Sequence, residues 1–315
     1  MRKNGTVVTV GETMAMFRAV TSAPIAPDSL FDFGVGGAES NVAIGLARLG
    51  VSATWVSQLG NDDFGAVIQQ TLESEGVRVM AGLREDRPTG LMVKIPVDED
   101  DPRVRYYRKG SAASSLVLGR HEKELLSQAR WIHLSGIFPA LSDTTTETAH
   151  EIVDFAVAEG IPYSLDINYR PQLWTKSQAR STLLGLACDA EILFGGRAEL
   201  EILVGEHDSD FQLLQAVADC GPREVVAKLG ADGALALFDE RQFSTEALPV
   251  EVIDTVGAGD AFVAGYLSQR LVGETSAQAL RRGAVCGALV CTKAGDWEGA
   301  PFLEEVTSYE TGALV

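Results

Sequence analysis

The sequence predicts an α/β fold, a mostly parallel central sheet with helices on both faces, in a single domain spanning residues 1–315. Three observations carry the prediction. Short apolar, β-branched runs alternate with helical stretches along most of the chain, the pattern of a parallel sheet covered on both sides. Two stretches, 77–109 and 225–245, instead read as strands without helices. No segment rich in Pro, Gly or Ser divides the chain, and no internal repeat is visible.

Taken in order, Thr6–Gly11 reads as a buried strand and Ser40–Gly50 as a helix with apolar Val42, Ile44, Leu46, Ala47 and Leu49, stopped by Gly50. A strand at Ala53–Leu59 precedes a helix from Asp62 to Gly76, capped by Asp62 or Asp63. Strand-like pieces follow at Val77–Leu83, Gly90–Val97 and Val104–Arg108, the last two joined by the turn-rich Pro96–Pro102. This region is expected to form a small antiparallel sheet outside the main one, shared with residues 12–35, so that segments 12–35 and 77–112 make a lid. The alternation then resumes: strand Trp131–Ser135, helix Asp143–Gly160, strand Tyr163–Ile167, helix Ser177–Ala187, strand Ala190–Phe194 and helix Arg197–Val204. After the strands of Val225–Thr245, with turns at 230–233 and 239–240, two helices at Ala258–Val272 and Ser276–Lys293 close the chain.

Composition limits the function. With 46% hydrophobic and 22% charged residues the chain is ordinary globular protein rather than disordered or fibrous. Its 44 acidic against 26 basic side chains give a formal charge of −18, which disfavours nucleic acid and anionic membrane surfaces as partners but not a small anionic ligand. Apolar runs such as Ala284–Cys291 fall short of a membrane span of about 20 residues. Thr6–Gly11 is too short for a signal-peptide core. The four cysteines show no C-x-x-C pair and the four histidines no H-E-x-x-H, so buried thiols and a cytoplasmic location are expected rather than a metal centre of Cys or His.

Four segments carry candidate chemistry. Asp254-Thr-Val-Gly257-Ala258-Gly259-Asp260-Ala-Phe262 enters a helix through two glycines, so backbone N–H groups can converge on an anion at the positive end of the helix dipole. Asp260 then stands within reach to take a proton from an attacking hydroxyl. A glycine turn followed by an ordinary first-turn acid is the plain alternative. Gly34–Ala43 is a second glycine-rich helix entry, in which Gly36 and Gly37 allow close backbone approach and Asn41 offers a donor and an acceptor. In Arg103–Lys109, strand alternation puts Val104, Tyr106 and Arg108 on one face and Arg103, Arg105, Tyr107 and Lys109 on the other. A solvated edge strand is the competing reading there. Asp166, Asn168 and Arg170 sit at the carboxyl end of a parallel strand, where open α/β sheets bind ligands.

The two glycine-helix motifs, in this order and with D-T-V-G-A-G-D-A-F late in the chain, resemble the two signatures of the ribokinase-like (PfkB) carbohydrate kinases. The likeness extends over essentially the whole chain. It implies a ribokinase-like three-layer sandwich with a small β-sheet lid, Asp260 as catalytic base, and Gly257, Ala258 and Gly259 as the anion hole for the transferred phosphoryl group. It also implies Mg2+ and ATP as phosphoryl donor and admits a monovalent cation. Lys228–Gly233 resembles the family's nucleotide-binding turn, so Lys228, Gly230, Gly233, Gly257 and Gly259 are ATP-binding by resemblance. Gly196 joins them from Gly196-Arg-Ala-Glu199, where the family's N-x-x-E element keeps Glu199, indirectly linked to Mg2+, but has lost its Asn.

Tyr106–Ala112, His133–Ile137, Asp166–Arg170 and Leu173-Trp174 are similar to one branch, the 2-keto-3-deoxygluconate kinases. That branch phosphorylates the primary hydroxyl of a keto acid, whose carboxylate calls for arginine's planar fork. By this likeness Arg108 and Arg170 contact the substrate, Tyr106 supplies a ring hydroxyl, Gly36, Gly37 and Asn41 line the sugar pocket with Asp166 and Asn168, and Asp296 closes it near the base. The branch's tyrosine after T-G-L is Met92 here, which loses one hydroxyl contact and points to a related substrate such as the galactonate epimer, or to relaxed specificity. Glu12, where ribose-specific members carry Asp, counts against ribose. A fructokinase or other ketose kinase is the alternative within the family, and a non-catalytic sugar-binding protein on the same fold the alternative outside enzymes. A dinucleotide-binding oxidoreductase fails for want of G-x-G-x-x-G after the first strand, since Gly11 is followed by Glu12-Thr13-Met14. The expected partners are a sugar or sugar acid and ATP, with a homo-oligomer formed through the lid.

Overall fold

The computed structural model describes residues 5–22, 24–95 and 103–311. Its first strands and helices are β1 (Val7–Val10), β2 (Met14–Ala19), β3 (Phe31–Gly36), α1 (Ala38–Arg48), β4 (Ala53–Gly60), α2 (Asp63–Ser74), β5 (Arg78–Arg84), β6 (Leu91–Ile95) and β7 (Arg103–Tyr107). Next come α3 (Arg120–Gln128), β8 (Trp131–Ser135), α4 (Asp143–Glu159), β9 (Tyr163–Asp166), α5 (Lys176–Ala187), β10 (Ile192–Gly196), α6 (Arg197–Val204) and α7 (Asp210–Ala218). The rest is β11 (Glu224–Lys228), β12 (Ala234–Phe238), β13 (Arg241–Thr245), α8 (Ala258–Val272), α9 (Ser276–Val290) and α10 (Leu303–Glu310).

Nine strands form the large sheet in the order β13-β12-β11-β10-β9-β8-β1-β4-β5. Its pairings are parallel except at the β11-β12-β13 edge. Strand alternation explains why these runs are apolar throughout: in β10, Ile192 and Phe194 enter the core beneath α1, α2, α8 and α9, while Leu193 enters the core beneath α3 to α7. The result is three layers. From β1 the chain steps to β4 and β5 on one side and later to β8 through β11 on the other. The order therefore reverses at β1, and the crevice at the carboxyl ends of the strands there is where such sheets bind ligands.

A second sheet of four strands, in the order β3-β2-β6-β7, stands apart from the first. Met14, Met16 and Met92 make its buried inner cluster, with Val104 and Tyr106 packed against them. Two expectations need correction. Residues 77–83 do not belong to this sheet, because β5 pairs in parallel with β4 at the edge of the large one. Nor is the small sheet wholly antiparallel, since β2 and β6 run parallel. An apolar run marks a strand but does not name its partner, which is set by the chain's path. Helices α3, α7 and α10 are also additions to the sequence reading, and the turn at 96–102 lies outside the described residues. Of the two acids offered as the cap of α2, Asp62 does it, accepting the Gly65 N–H at 2.8 Å.

Candidate active site

Two cavities share one loop. The smaller, about 170 Å³, is lined by residues from β2, β6, β7, α1, the 254–260 segment and the 295–299 loop. Gly36, Gly37, Asn41, Met92, Tyr106, Arg108, Arg170, Gly257, Asp260 and Asp296, singled out from the sequence, all line it. The larger, about 470 Å³, has apolar walls including Leu248, Pro249 and Val250, and a floor of Lys228, Gly230, Gly233, Ala258 and Gly259. Val256, Gly257 and Asp260 face the first cavity, and Thr255, Ala258 and Gly259 the second. The N-terminus of α8 thus stands between them, with a carboxylate on one side and open backbone on the other.

The backbone makes this junction possible. Gly257 caps α8 at φ 79°, in the left-handed region that favours glycine. A Cβ there would lie 1.7 Å from the Asp296 carbonyl oxygen. Gly36 is held to glycine by another close approach, its missing Cβ falling 2.2 Å from Asp296 Oδ2.

Asp260 is buried and accepts a hydrogen bond at Oδ2 from Asn41 Nδ2 at 2.8 Å, while Asn41 Oδ1 accepts the Gly37 N–H at 3.4 Å. The second glycine motif therefore orients the Asp260 carboxylate as well as lining the smaller cavity. Burial above all pushes the Asp260 carboxyl up to about 6; Asp166 adds to the rise, and Asn41, Lys228 and Arg170 oppose it. Burial likewise lifts Asp296 to about 7, with Lys94 opposing and Glu298, Asp260 and Asp254 contributing. Asp296 Oδ1 is buried and has no hydrogen-bond partner among the described residues, an acceptor open to a ligand hydroxyl.

The positive charges are placed differently from the sequence expectation. Arg108 donates from Nε to Glu12 Oε2 at 2.5 Å, and Ser111 holds the other oxygen of that carboxylate. Lys228 Nζ reaches Asp166 Oδ1 at 2.9 Å and Oδ2 at 2.7 Å, which ties Asp166 to a residue of the larger cavity. Burial works against the Lys228 charge, but Asp166, Glu199 and Asp260 outweigh it and the ammonium's pKa is raised. Neither Asp166 nor Asn168 lines the smaller cavity, contrary to expectation. Arg170 does line it, and its one side-chain hydrogen bond among the described residues runs from Nη1 to the Tyr169 carbonyl at 3.3 Å.

Gly196 and Glu199 serve each other. Glu199 Oε2 accepts the Gly196 N–H at 2.7 Å, and Oε1 the Tyr169 N–H at 2.8 Å. Gly196, expected to bind ATP, lines neither cavity. Among the described residues no group of three or more His, Cys, Asp or Glu could hold a metal ion. Sequence reasoning missed Lys94, which lines the smaller cavity, and did not count Glu12 among the site residues. Lys94 stands two residues after Met92, and strand alternation puts both on one face.

A model of the pfkB family carbohydrate kinases matches residues 4–302. The chain is 39% identical over 310 residues to the 2-dehydro-3-deoxygluconokinase of Bacillus subtilis (strain 168), covering 96% of this chain and 94% of that protein. It is 31% identical over 293 residues to the 2-dehydro-3-deoxygalactonokinase of Haloferax volcanii, covering 92% of each. Its fold is that of a putative ribokinase II from E. coli crystallised with ATP and Mg2+, at a TM-score of 0.90 and 25% identity over 98% of this chain and 99% of that one. No helix among the described residues is long and apolar enough to cross a membrane.

Proposed function

The chain belongs to the pfkB family of carbohydrate kinases, and on that premise we propose that it transfers the γ-phosphoryl group of ATP to the primary hydroxyl of a sugar acid, 2-dehydro-3-deoxygluconate (2-keto-3-deoxygluconate), giving the 6-phosphate. The observation that carries the substrate class is Arg170, a guanidinium facing the sugar cavity with no carboxylate partner among the described residues. Arg108 and Lys228 are already neutralised by Glu12 and Asp166. A sugar carboxylate would complete Arg170 as a planar bidentate pair, whereas a neutral ketose would leave that charge facing the cavity unmatched.

Phosphoryl transfer requires positioning and charge stabilisation more than covalent help from the protein. Asp260, held by Asn41, takes the proton from the attacking hydroxyl. Asp296 Oδ1 receives another sugar hydroxyl. The first N–H groups of α8 at Gly257–Gly259 receive charge developing on the phosphoryl oxygens. Lys228 and the glycine turn to Gly233 hold the phosphates of a nucleotide whose base lies against Leu248–Val252. A Mg2+ ion, if bound with the nucleotide, would supply further neutralisation of charge, and Glu199 would act at one remove through the Gly196 and Tyr169 backbone it orders.

A second reading has an observation of its own. Met92 puts an apolar thioether on the cavity wall where the resemblance called for a hydroxyl, and this favours acceptance of the C4 epimer, 2-dehydro-3-deoxygalactonate. On the other face of the small sheet, Phe33 and Tyr107 are 45% and 63% exposed, an apolar surface that fits a second copy of the chain. An ADP-release assay across both keto-deoxy acids, fructose, ribose and nucleosides tests the substrate. The keto-deoxy acids are expected to show the highest kcat/KM; fructose or ribose turning over faster would overturn the assignment.

A further inference from the structure

Lys94 is on β6, and 5% of it is exposed. Its Nζ donates to Asp254 Oδ2 at 2.6 Å, across 160 positions of sequence. Asp254 opens the loop that leads into α8. Its Oδ1 accepts the Val256 N–H at 3.1 Å, and its Oδ2 also accepts the Gly295 N–H at 3.3 Å, immediately before Asp296. One carboxylate therefore joins the small sheet, the loop of the anion hole and the segment carrying Asp296. Among the described residues no other side-chain ion pair links the small sheet to residues 254–260.

Burial gives this link its force. The two side chains are 6% and 12% exposed, so little water is available to replace either partner. Removing one leaves the other as an uncompensated, poorly solvated charge. The link also tells which of the site's cations answer to substrate. With its ammonium on Asp254, Lys94 serves the loop, and Arg170 stays available to the ligand.

We propose that Lys94 is a positioning residue of the kinase: through Asp254 its ammonium holds residues 254–257, and with them the N-terminus of α8, in the geometry that receives the phosphoryl group. Because β6 carries the ammonium, seating of the small sheet over the sugar and setting of the loop are one event. The proposal rests on the reading of this loop as the phosphoryl-binding element.

The test uses the full chain with Lys94→Met, Lys94→Arg, Asp254→Asn and the Lys94→Met/Asp254→Asn double variant, each followed by steady-state kinetics in both substrates and by thermal melting. Misplacement of reacting groups by 1 Å costs about 10²-fold, so Lys94→Met is expected to lower kcat by about tenfold or more while the sugar KM moves less than about threefold. Lys94→Arg, which keeps the charge, is expected to recover most of that loss. The double variant should be no slower than the worse single variant, since both break one contact. A folded Lys94→Met with unchanged kcat, a change confined to the sugar KM, or losses that multiply in the double variant would overturn the proposal. Should Lys94→Met fail to fold, Asp254→Asn decides: lowered kcat at steady KM supports the link, and unchanged kcat refutes it. Asp260→Asn runs alongside. If it is active, the reading of the loop fails and the proposal with it; if it is dead while Lys94→Met is normal, the link alone fails.

Discussion

Replacing Gly257 by alanine should disable turnover through geometry alone. The residue sits at φ 79°, where an L side chain costs roughly 1–2 kcal/mol of backbone energy. The larger effect is steric. The new Cβ would lie 1.7 Å from the Asp296 carbonyl oxygen, and reaching a tolerable 3.0 Å requires the loop or the 295–299 segment to yield by about 1.3 Å in a close-packed site. Either movement shifts the first N–H groups of α8 relative to Asp260 and Asp296. A misplacement of about 1 Å is worth about 10²-fold in rate, or about 2.7 kcal/mol of barrier. The assay is ADP release at saturating ATP and keto-deoxy acid, with melting curves to establish folding. Gly76→Ala is the control, since Gly76 has φ 81° and its added Cβ would meet nothing within 4 Å. It should carry the backbone cost in stability and leave kcat alone. A folded Gly257→Ala whose kcat stays within about threefold of the parent would refute the argument that close backbone approach sets the anion hole.

Asp260→Asn should lose about 10²–10⁴ in kcat while calorimetric sugar binding is nearly kept, and an active variant would remove Asp260 as base. In the parent protein, kcat should decline as pH falls through about 6, where the raised Asp260 carboxyl takes up its proton. Arg170→Ala should weaken use of a keto-deoxy acid by about 1.5–3 kcal/mol in kcat/KM and affect a neutral ketose far less; equal losses on both would sink the carboxylate assignment. Glu39, Asp260 and Asp296 have folded-state values of about 7, 6 and 7, so the folded chain binds more protons than the unfolded one between the ordinary carboxylate range and those values. Their stabilising contribution is complete at low pH and lost as pH rises through 6 to 7. His133, lowered to about 3 from 6.5 first by burial, runs the other way below pH 6.5. Melting temperature should therefore rise as pH is lowered from about 8 to 6.5, and Asp296→Asn should flatten that rise; an unchanged slope in the variant would contradict the placement of Asp296 as a buried acid.

Much of the site was legible in advance because its chemistry lies in short, contiguous motifs. Gly257, Gly259 and Asp260 lie at one helix terminus, and Gly36, Gly37 and Asn41 at another, so a reading along the chain finds them. The face carrying Tyr106 and Arg108 followed from strand alternation. What escaped was pairing over long separations. Arg108 finds Glu12 96 positions away, Lys228 finds Asp166 at 62, and Lys94 finds Asp254 at 160. Each of those basic residues reads in sequence as an available positive charge, and folding commits all three.

The fold divides in the same way. Helix and strand periodicity, glycine stops and caps are local properties, so the alternation of elements and the parallel sheet could be read from residue order. The membership of β5 in the large sheet, the parallel pairing of β2 with β6, and the meeting of two cavities at α8 depend on where distant segments come to rest. A strand's pattern says that it has an apolar face but not which strand lies beside it, and a charge in the sequence does not say which opposite charge will reach it. Chain order set the inventory of elements and reactive groups. Packing chose their neighbours, and by pairing every cation of the smaller cavity except Arg170 among the described residues, it left one guanidinium open there.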